Sequence, residues 1–553
     1  MAAGRKLRAL GLSLALVLCA SFAAAPAAGA KAKGFKYGVA AGDVTSRSAI
    51  LWAKASKSGT AYLQLVHNFR FGPCDEQHSH PAKVKAKKSN DNTVQVKVKR
   101  LPPATDFEYR FCMPGGAKSE IGKFVTAPRP KSKKTITFAL SGDQDARPAK
   151  GGGYYESRPF WNDFEVWDTI RQQKNDFNVL MGDTIYSDTE VPGYGLSDVA
   201  LTVKQKWKAY KTNLAMKPWA KARGSTAYYA HWDDHEFIND FSPSEDRFPL
   251  GVGTVNMNGE KLYKNGVRAF TDYNPVAYKK KTGLYRSERW GKNLEIFFLD
   301  EHSFRSTSAD YRGACDNPAG SGDPDLAPTA PQSTRNTFSP LVPQFNDPPP
   351  PGCVEAINDP NRTMLGSKQL AKFKQAVAKS DATFKVIFNE VPIQQYYALP
   401  YDRWEGYEAE RQELLSFLQQ KVKNVVFLTT DVHANMVNDA RFCTLESGCP
   451  QNSGILDVTT GPIATAPYAL EISDAIGNPN GGTIVHSGFL KQEPPNGPGM
   501  QCAAIDVFSY AQVEVSKSQL AIDLLDQNNA PVQDTGDRDT PGPPCAQIVI
   551  PKQ

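Results

Sequence analysis

One short segment is unusually rich in side chains that can bind a metal ion or transfer a proton. Residues 231–240 read HWDDHEFIND and hold five such side chains within six positions: His231, Asp233, Asp234, His235 and Glu236. Paired carboxylates beside an imidazole suit both metal ligation and proton transfer. Trp232 and Phe237 are predicted to anchor the segment in the core. The alternative is a polar turn with a hydrogen-bonded histidine and no chemistry.

Five other segments join an apolar run to polar side chains. They read TITFALSGDQDA, FNVLMGDTIYSD, LEIFFLDEHSFR, FKVIFNEVP and NVVFLTTDVHANM. The polar residues that follow the runs are Asp143, Asp183 with Tyr186, Asp300, Asn389, and Asp431 with His433. In open α/β sheets ligands bind at the carboxyl ends of the strands, so these side chains are predicted to converge.

Such a convergence is suited to metal-assisted hydrolysis of a phosphate ester. Two cations a few Å apart neutralise the anionic ester and generate a hydroxide beside phosphorus. The pair needs a carboxylate that bridges both ions, and Asp183 is the candidate. Gly182 would let the turn approach the ions closely, and Tyr186 could bind the same metal as the bridge.

The elements that must position these residues form two predicted domains. Residues 35–126 show short alternating runs separated by Gly, Pro and Asn, which predicts an antiparallel β-sandwich. After the Pro- and Lys-rich linker 127–134, apolar strands alternate with amphipathic helices over 135–525, which predicts an α/β domain with a buried sheet. The segment GGTIVHSGFL is predicted to be a closing strand, and 526–553 a C-terminal tail.

A Pro-, Gly- and Asp-rich insertion, residues 306–361, interrupts the second domain. Its composition predicts a segment without a packed core. A passive surface loop and an active-site lid are both compatible with its length.

The N-terminal residues 1–30 are predicted to be a secretory signal peptide. A basic start, an apolar run and small residues at the end are typical of such a signal, and no other segment is predicted to span a membrane. Loss of its three basic residues lowers the formal net charge from +6 to +3, which gives no nucleic-acid-binding signature. We therefore expect a secreted, extracellular or periplasmic protein. The sequence leaves its oligomeric state open.

Eight of the nine cysteines lie outside the signal, an even number that fits an oxidising compartment. Sequence proximity favours four local disulfides: Cys74–Cys112, Cys315–Cys353, Cys443–Cys449 and Cys502–Cys545. Other pairings are open from the sequence alone.

The motifs GDTIY, WDDHE, FFLDEHSFR and TDVHANM together resemble the PhoD-like alkaline phosphatases and phosphodiesterases, within the calcineurin-like and purple-acid-phosphatase metallophosphoesterase superfamily. The opening FKYGVAAGDVTSRSAILWAKA is similar to the N-terminal domain of that type. The resemblance implies an α/β (α+β) metallophosphoesterase sandwich after an Ig- or fibronectin-like β-sandwich.

The resemblance also implies two metal-ligand sets that share Asp183. The first set is Asp143, Asp183, Tyr186 and His433, and the second is Asp183, Asp234, Asn389 and Asp431. Asp143 departs from the cysteine common in PhoD-type proteins. A phenolate in a mixed oxygen and nitrogen set suits Fe(III), and an all-oxygen set suits Ca(II), with Mn or Mg as alternatives.

Four residues are candidates for catalytic roles. Asp234 would hold the second metal while His235 meets the phosphate or protonates the leaving group; Asp233 and Glu236 would hold histidines. His302 and Arg305 match positions whose basic side chains face the site in PhoD-type proteins, where the usual pattern resembles LDTRQYR. The alternative for Arg305 is a structural pair with Asp300.

We therefore predict an exported enzyme that hydrolyses phosphate monoesters or diesters by attack of a metal-generated hydroxide. Small-molecule phosphate esters and phospholipid head groups are the candidate partners. The alternatives are a phospholipase D-like phosphodiesterase of the same fold and a secreted binding protein whose phosphatase-like domain is not catalytic.

Overall fold

The computed structural model describes residues 34–74, 83–151, 156–536 and 542–553. The predicted signal peptide lies outside these residues. The strands are β1 Phe35–Gly42, β2 Ser48–Ala55, β3 Gly59–Val66, β4 Lys83–Ala86, β5 Thr93–Lys99, β6 Asp106–Cys112, β7 Gly122–Val125, β8 Ile136–Ser141, β9 Phe177–Met181, β10 Ala227–His231, β11 Arg247–Leu250, β12 Gly253–Asn256, β13 Arg286–Trp290, β14 Leu294–Phe298, β15 Phe384–Phe388, β16 Val425–Thr429, β17 Asn435–Cys443, β18 Gln451–Thr459, β19 Cys502–Ala504, β20 Ser509–Val515, β21 Gln519–Asp526 and β22 Ile548–Pro551. The α-helices are α1 Glu165–Gln172, α2 Val203–Leu214, α3 Lys217–Ser225, α4 Gly259–Tyr273, α5 Gln332–Phe338, α6 Cys353–Ile357, α7 Ser367–Lys379, α8 Glu408–Lys421, α9 Tyr468–Ile476 and α10 Gly481–Val485.

Two large mixed sheets pack face to face and are covered by helices on both outer sides. The order of the first is β22-β21-β20-β8-β9-β10-β1-β2-β5, and that of the second is β13-β14-β15-β16-β18-β17-β19. Phe138 and Phe177 of the first sheet share a buried cluster with Phe298 and Phe388 of the second. The neighbouring residues on each strand face outward into the helix-covered clusters. Burial of both faces explains the continuous apolar runs of these strands.

The parallel strands bring the predicted ligand positions to the same edge. β9 runs parallel to both β8 and β10, and β15 runs parallel to both β14 and β16. Each of β8, β9, β10, β15 and β16 is followed within a few residues by a candidate ligand. The α/β architecture predicted for this part of the chain is confirmed by these sheets and their helices.

The N-terminal strands form two layers, and one of them belongs to the large sheet. β4-β3-β6-β7 is a separate four-stranded sheet, whereas β1 pairs in parallel with β10 and carries β2 and β5 with it. Leu51 and Val94 of one layer pack with Leu63 and Phe111 of the other. β1, β2 and β5 therefore extend the same nine-stranded sheet that carries Asp143, Asp183 and Asp234.

The C-terminal residues and the insertion are more ordered than their composition indicates. β22 pairs with β21 in the large sheet, so the predicted tail contributes a strand. The insertion contains α5 and α6, and its Arg335 is fully buried against Asp325 at 2.6 Å. All four favoured disulfides are present, and the 315–353 bridge closes the insertion.

The prediction of a strand for GGTIVHSGFL is wrong, because these residues form α10 and a following helical turn. A Cβ on Gly482 would lie 2.8 Å from Cα of Ala469 in α9. The two glycines that weakened the helical pattern therefore permit close packing of two helices.

Candidate metal centre

Asp183 lies at the centre of the site, in the turn after β9. Its ligand oxygens belong to two groups of side chains whose ligand atoms lie within 4.8 Å of one another. One group adds Asp143 and His433, and the other adds Asp234 and His235. All five side chains are buried. A carboxylate shared by two such groups is placed as a bridge between two cations would be.

The predicted ligands Tyr186 and His433 are brought together from distant parts of the chain. The Oη atom of Tyr186 lies 2.7 Å from Nε2 of His433, and both side chains are buried. The other ring nitrogen of His433, Nδ1, pairs with the carboxylate of Glu471 in α9. Such a partner fixes the ring so that Nε2 faces the cluster, which is the usual arrangement of a metal-binding histidine.

Two further predicted ligands have polar atoms without a protein partner. Neither carboxylate oxygen of Asp143 and neither amide atom of Asn389 has a hydrogen-bond partner among the described residues, although both side chains are fully buried. Buried polar groups are normally hydrogen-bonded, and unpaired buried charges are costly. These oxygen atoms fit the requirement of hard cations for oxygen ligands.

The backbone at the site is held in an uncommon conformation. Four of the candidate ligands have φ in the left-handed region: Asp143 at 61°, Asp183 at 43°, Asp431 at 71° and His433 at 53°. This region is uncommon for residues other than glycine, and such strain clusters at functional sites. A Cβ on Gly461 would lie 2.8 Å from Oδ2 of Asp143, so a glycine is needed where that chain passes the cluster.

Residues 231–240 form another side of the site. Asp234 accepts a hydrogen bond from the backbone N–H of Asp240 at 2.5 Å, and the backbone N–H of His235 donates to Asp183 at 3.2 Å. Trp232 and Phe237 are fully buried, as the anchoring prediction required. Glu236 does not hold a histidine: its carboxylate binds the backbone N–H groups of Thr184 and Ile185 and so fixes the turn that carries Asp183.

His235 is oriented by a carboxylate that the sequence argument missed. Its Nδ1 lies 2.8 Å from Oδ1 of Asp188, which leaves Nε2 for a ligand. Burial acts to lower the pKa of His235, but the carboxylates of Asp234, Asp188 and Asp183 outweigh it and raise that pKa well above its usual value. A protonated imidazole in this position can donate a proton.

Neither Asp188 nor Glu471 was predicted as a partner of a site histidine. Asp188 follows Asp183 by five residues within the quoted segment FNVLMGDTIYSD, so the polar run after β9 was an available signal. Glu471 lies in a helix 38 residues after His433, and no local pattern distinguishes it from other helical glutamates. Only the fold brings that pair together.

The two basic residues predicted to face the site, His302 and Arg305, bind other protein side chains instead. Nε2 of His302 lies 2.6 Å from Asp233, and Arg305 donates to Asp402 at 2.5 Å and to Tyr407 at 3.0 Å. Both are almost fully buried. Asp300 does not pair with Arg305; it accepts hydrogen bonds from Leu284 and Ser303. Asp300 therefore belongs to a structural network behind the cluster.

A polar cleft of about 520 Å³ opens beside His235. Asp188, Glu190 and Asp198 line it, and Arg147 is the one arginine or lysine among the described residues of its wall. Arg147 donates to the backbone oxygen of Tyr186 at 2.6 Å, so it is tied to the same turn as the cluster. Asp188 pairs with His235 and Asp198 pairs with Lys150, so the cleft holds charges of both signs.

The charge of the cluster predicts a pH dependence for the metal-free protein. Burial raises the pKa of Asp143 to about 7 and that of Asp431 to about 8, whereas these carboxyls titrate near 3.9 in an unfolded chain. Between about pH 4 and about pH 8 the folded state therefore binds more protons than the unfolded state. The free energy of unfolding of the protein then falls as pH rises from about 4 to about 8. We expect the thermal midpoint of chelator-treated protein to fall by at least ~5 °C between pH 5 and pH 8.

The matched variants are Asp143→Asn and Asp431→Asn, each of which should flatten this fall. Metal-loaded protein should show a smaller fall, because bound cations keep the carboxylates ionised in the folded state. Equal slopes for chelated and loaded protein would contradict the prediction.

The family model described as PhoD-like phosphatase matches residues 152–523, and that described as PhoD-like phosphatase, N-terminal domain, matches residues 21–128. The chain belongs to the PhoD-like phosphatase family. Membership makes it a hydrolase of phosphate esters and implies a metal centre, which the donor atoms of the cluster fit.

Individual relatives of this PhoD-like chain agree with the family. Alkaline phosphatase D of Bacillus subtilis (strain 168) is 23% identical over 466 residues, which cover 78% of this chain and 70% of that protein. The solved structure of PhoD has a TM-score of 0.65 at 19% identity, and the match covers 94% of this chain and 91% of the other. Purple acid phosphatase PPD1 from yellow lupin (Lupinus luteus) seeds has a TM-score of 0.52 at 12% identity over 91% of this chain and 74% of its own. These structures share the fold.

No helix among the described residues is long and apolar enough to cross a bilayer. The four disulfides are of the kind that persists in oxidising compartments.

Proposed function

We propose that this PhoD-like chain is an exported, metal-dependent phosphodiesterase with a binuclear centre of Fe(III) and Ca(II). The observation that carries the proposal is Asp183, whose carboxylate belongs to both groups of potential ligands. One set would be Asp143, Asp183, Tyr186 and His433, and the other Asp183, Asp234, Asn389 and Asp431. When bound, the two cations neutralise the phosphate and lower the pKa of a water molecule.

The residues around the centre orient the ester and handle the proton. Asp188 holds the ring of His235 through Nδ1, which leaves Nε2 to face the ester oxygen that departs and to donate a proton to it. Glu236 keeps Asp183 in place through the turn of Thr184 and Ile185. The Tyr186 ring packs against His235, with 4.2 Å between the ring centroids, and its Oη lies 2.7 Å from Nε2 of His433.

The pairing of the cationic side chains near the centre, among the described residues, favours diesters over monoesters. A monoester carries one more negative charge than a diester, and the wall beside His235 contains three carboxylates and one arginine among the described residues. The basic side chains of His302 and Arg305 are bound to Asp233 and Asp402. Phosphate monoesters and phospholipid head groups remain the alternative substrates, and Mn or Mg the alternative metals.

Paired substrates test this function. We expect metal-loaded protein to hydrolyse bis(4-nitrophenyl) phosphate with a kcat/KM at least about tenfold above that for 4-nitrophenyl phosphate, since one unfavourable charge contact is worth roughly that factor. Chelation should abolish both activities, and re-addition of metal should restore them. Absence of hydrolysis for both esters by metal-loaded protein would overturn the proposal.

The metals have a spectroscopic signature of their own. A tyrosinate bound to Fe(III) absorbs visible light, so protein purified without chelator should be coloured and contain iron and calcium in about equal amounts. Tyr186→Phe should abolish the colour, and Tyr210→Phe, a buried tyrosine that binds Thr184, should retain it. Stoichiometric zinc without iron would refute the metal assignment.

A further inference from the structure

An apolar cavity of about 190 Å³ is lined in part by Glu471, whose carboxylate lies within 4.8 Å of His433 and of Glu190 in the polar cleft. Its walls come from residues 326–345, which include α5, from residues 396–399, from α9 and from residues 485–490. Apolar side chains dominate the lining, among them Phe338, Phe345, Tyr396, Ile472 and Phe489. A six-carbon chain would meet apolar atoms throughout this space.

The disulfide-closed insertion is what builds one wall of this cavity. Cys315–Cys353 closes the segment, and Arg335 of α5 is fixed by Asp325 and by the backbone oxygen of Ala327 at 2.8 Å. The space opens to solvent where Leu399 and Ala475 are exposed, and an apolar cavity of about 150 Å³ is already large enough to hold benzene. A rigidly supported apolar pocket larger than this has the form of a preformed binding site.

Two residues that line the cavity also contact His433 of the candidate metal centre. The Glu471 side chain lines the cavity and pairs with Nδ1 of His433. The Tyr468 side chain also lines it, and the backbone N–H of Tyr468 donates to the backbone oxygen of His433 at 3.1 Å. A phosphodiester held at the cluster therefore has an apolar space next to one of its ligands and a polar cleft beside His235.

We propose that this cavity binds the aliphatic arm of a phosphodiester substrate, the arm that stays attached to phosphorus when the other ester bond breaks. The inference rests on the proposed function and names its substrate class: diesters with one apolar chain of about six carbons. In the reaction, water adds across one P–O bond, the released alcohol takes a proton, and the chain stays on the product monoester in the cavity.

Two diesters with the same leaving group test the cavity. 4-Nitrophenyl hexyl phosphate and 4-nitrophenyl methyl phosphate both release 4-nitrophenol and differ by five methylenes, each of which improves binding up to about fourfold when buried. We expect the kcat/KM of the wild-type protein for the hexyl ester to exceed that for the methyl ester by at least about tenfold. Equal values for the two esters would overturn the inference.

Variants that fill the cavity should remove this preference. Ala330→Phe adds a ring at a buried position of the lining, and Ala475→Phe adds one at an exposed position of α9 that tolerates a larger side chain. Each should reduce the hexyl-to-methyl ratio to about threefold or less, while Ala378→Phe, on the exposed side of α7, should keep it. An unchanged ratio in both cavity variants would overturn the inference.

A binding measurement separates the cavity from catalysis. Hexyl phosphonate, whose P–C bond is not hydrolysed, should raise the thermal midpoint of metal-loaded wild-type protein more than methyl phosphonate does, and Ala330→Phe should lose that difference. If neither nitrophenyl ester is hydrolysed, the proposed function fails. The difference between hexyl and methyl phosphonate binding then shows whether the cavity holds an alkyl chain. If the methyl ester is hydrolysed without chain-length preference and the two phosphonates act alike, only the inference fails.

Discussion

Replacing Asp183 by asparagine is expected to lower kcat at least ~10³-fold and to release both metals. The side chain is shared by the two groups of ligand atoms, so one substitution removes a negative oxygen from both sites. Loss of a group that only supports a metal ligand costs about 10- to 100-fold in metal affinity or activity, and a bridge should cost more. The measurements are metal content after gel filtration and turnover of bis(4-nitrophenyl) phosphate.

Asp300→Asn is the matched control for Asp183→Asn. Asp300 also follows a buried parallel strand and is fully buried, but its partners include Leu284, Ser303 and Trp232 and none of the candidate metal ligands. We expect the control to lower the thermal midpoint while metal content and kcat stay within about threefold of the wild type. Asp183→Asn protein with wild-type metal content and turnover would refute the bridging role.

Replacing His235 by asparagine is expected to lower kcat about 10²- to 10⁴-fold for esters of alkyl alcohols and much less for nitrophenyl esters. An alkoxide is a poor leaving group and needs the proton that His235 supplies, whereas a nitrophenolate departs without one. Because Nδ1 is held by Asp188, Asp188→Asn should show the same selectivity for the leaving group with a smaller loss. The measurement is kcat for methyl and for nitrophenyl leaving groups on otherwise identical diesters.

The metal content of the His235→Asn protein distinguishes proton donation by His235 from metal ligation by His235. Asp183, Asp234 and His235 are close enough together to hold one ion, so a direct ligand would lose metal when replaced. We expect His235→Asn protein to retain both metals. His486→Asn is the control, because His486 forms a similar pair with Asp534 at 2.6 Å without belonging to the cluster, and it should leave the leaving-group dependence unchanged.

The fold was predictable from the sequence where local patterns decide structure. The apolar runs before Asp143, Asp183, Asn389 and Asp431 are long enough to be strands buried on both faces, and all of them are. The pattern of GGTIVHSGFL was ambiguous, because a short apolar run with glycines fits a strand as well as a packed helix. Close packing of its glycines against α9 favours the helix.

By itself the sequence determined most of the strands and the polar residues that end them, because both depend on neighbours in the chain. Tertiary structure alone decided which of those polar residues meet: Asp143 and His433 reach Asp183, whereas Asp300, His302 and Arg305 turn to other partners. It also decided that Glu471 supports His433 and that the insertion walls an apolar cavity beside it. The physical reason is that strand direction and crossover, rather than local pattern, set the distance between side chains far apart in sequence.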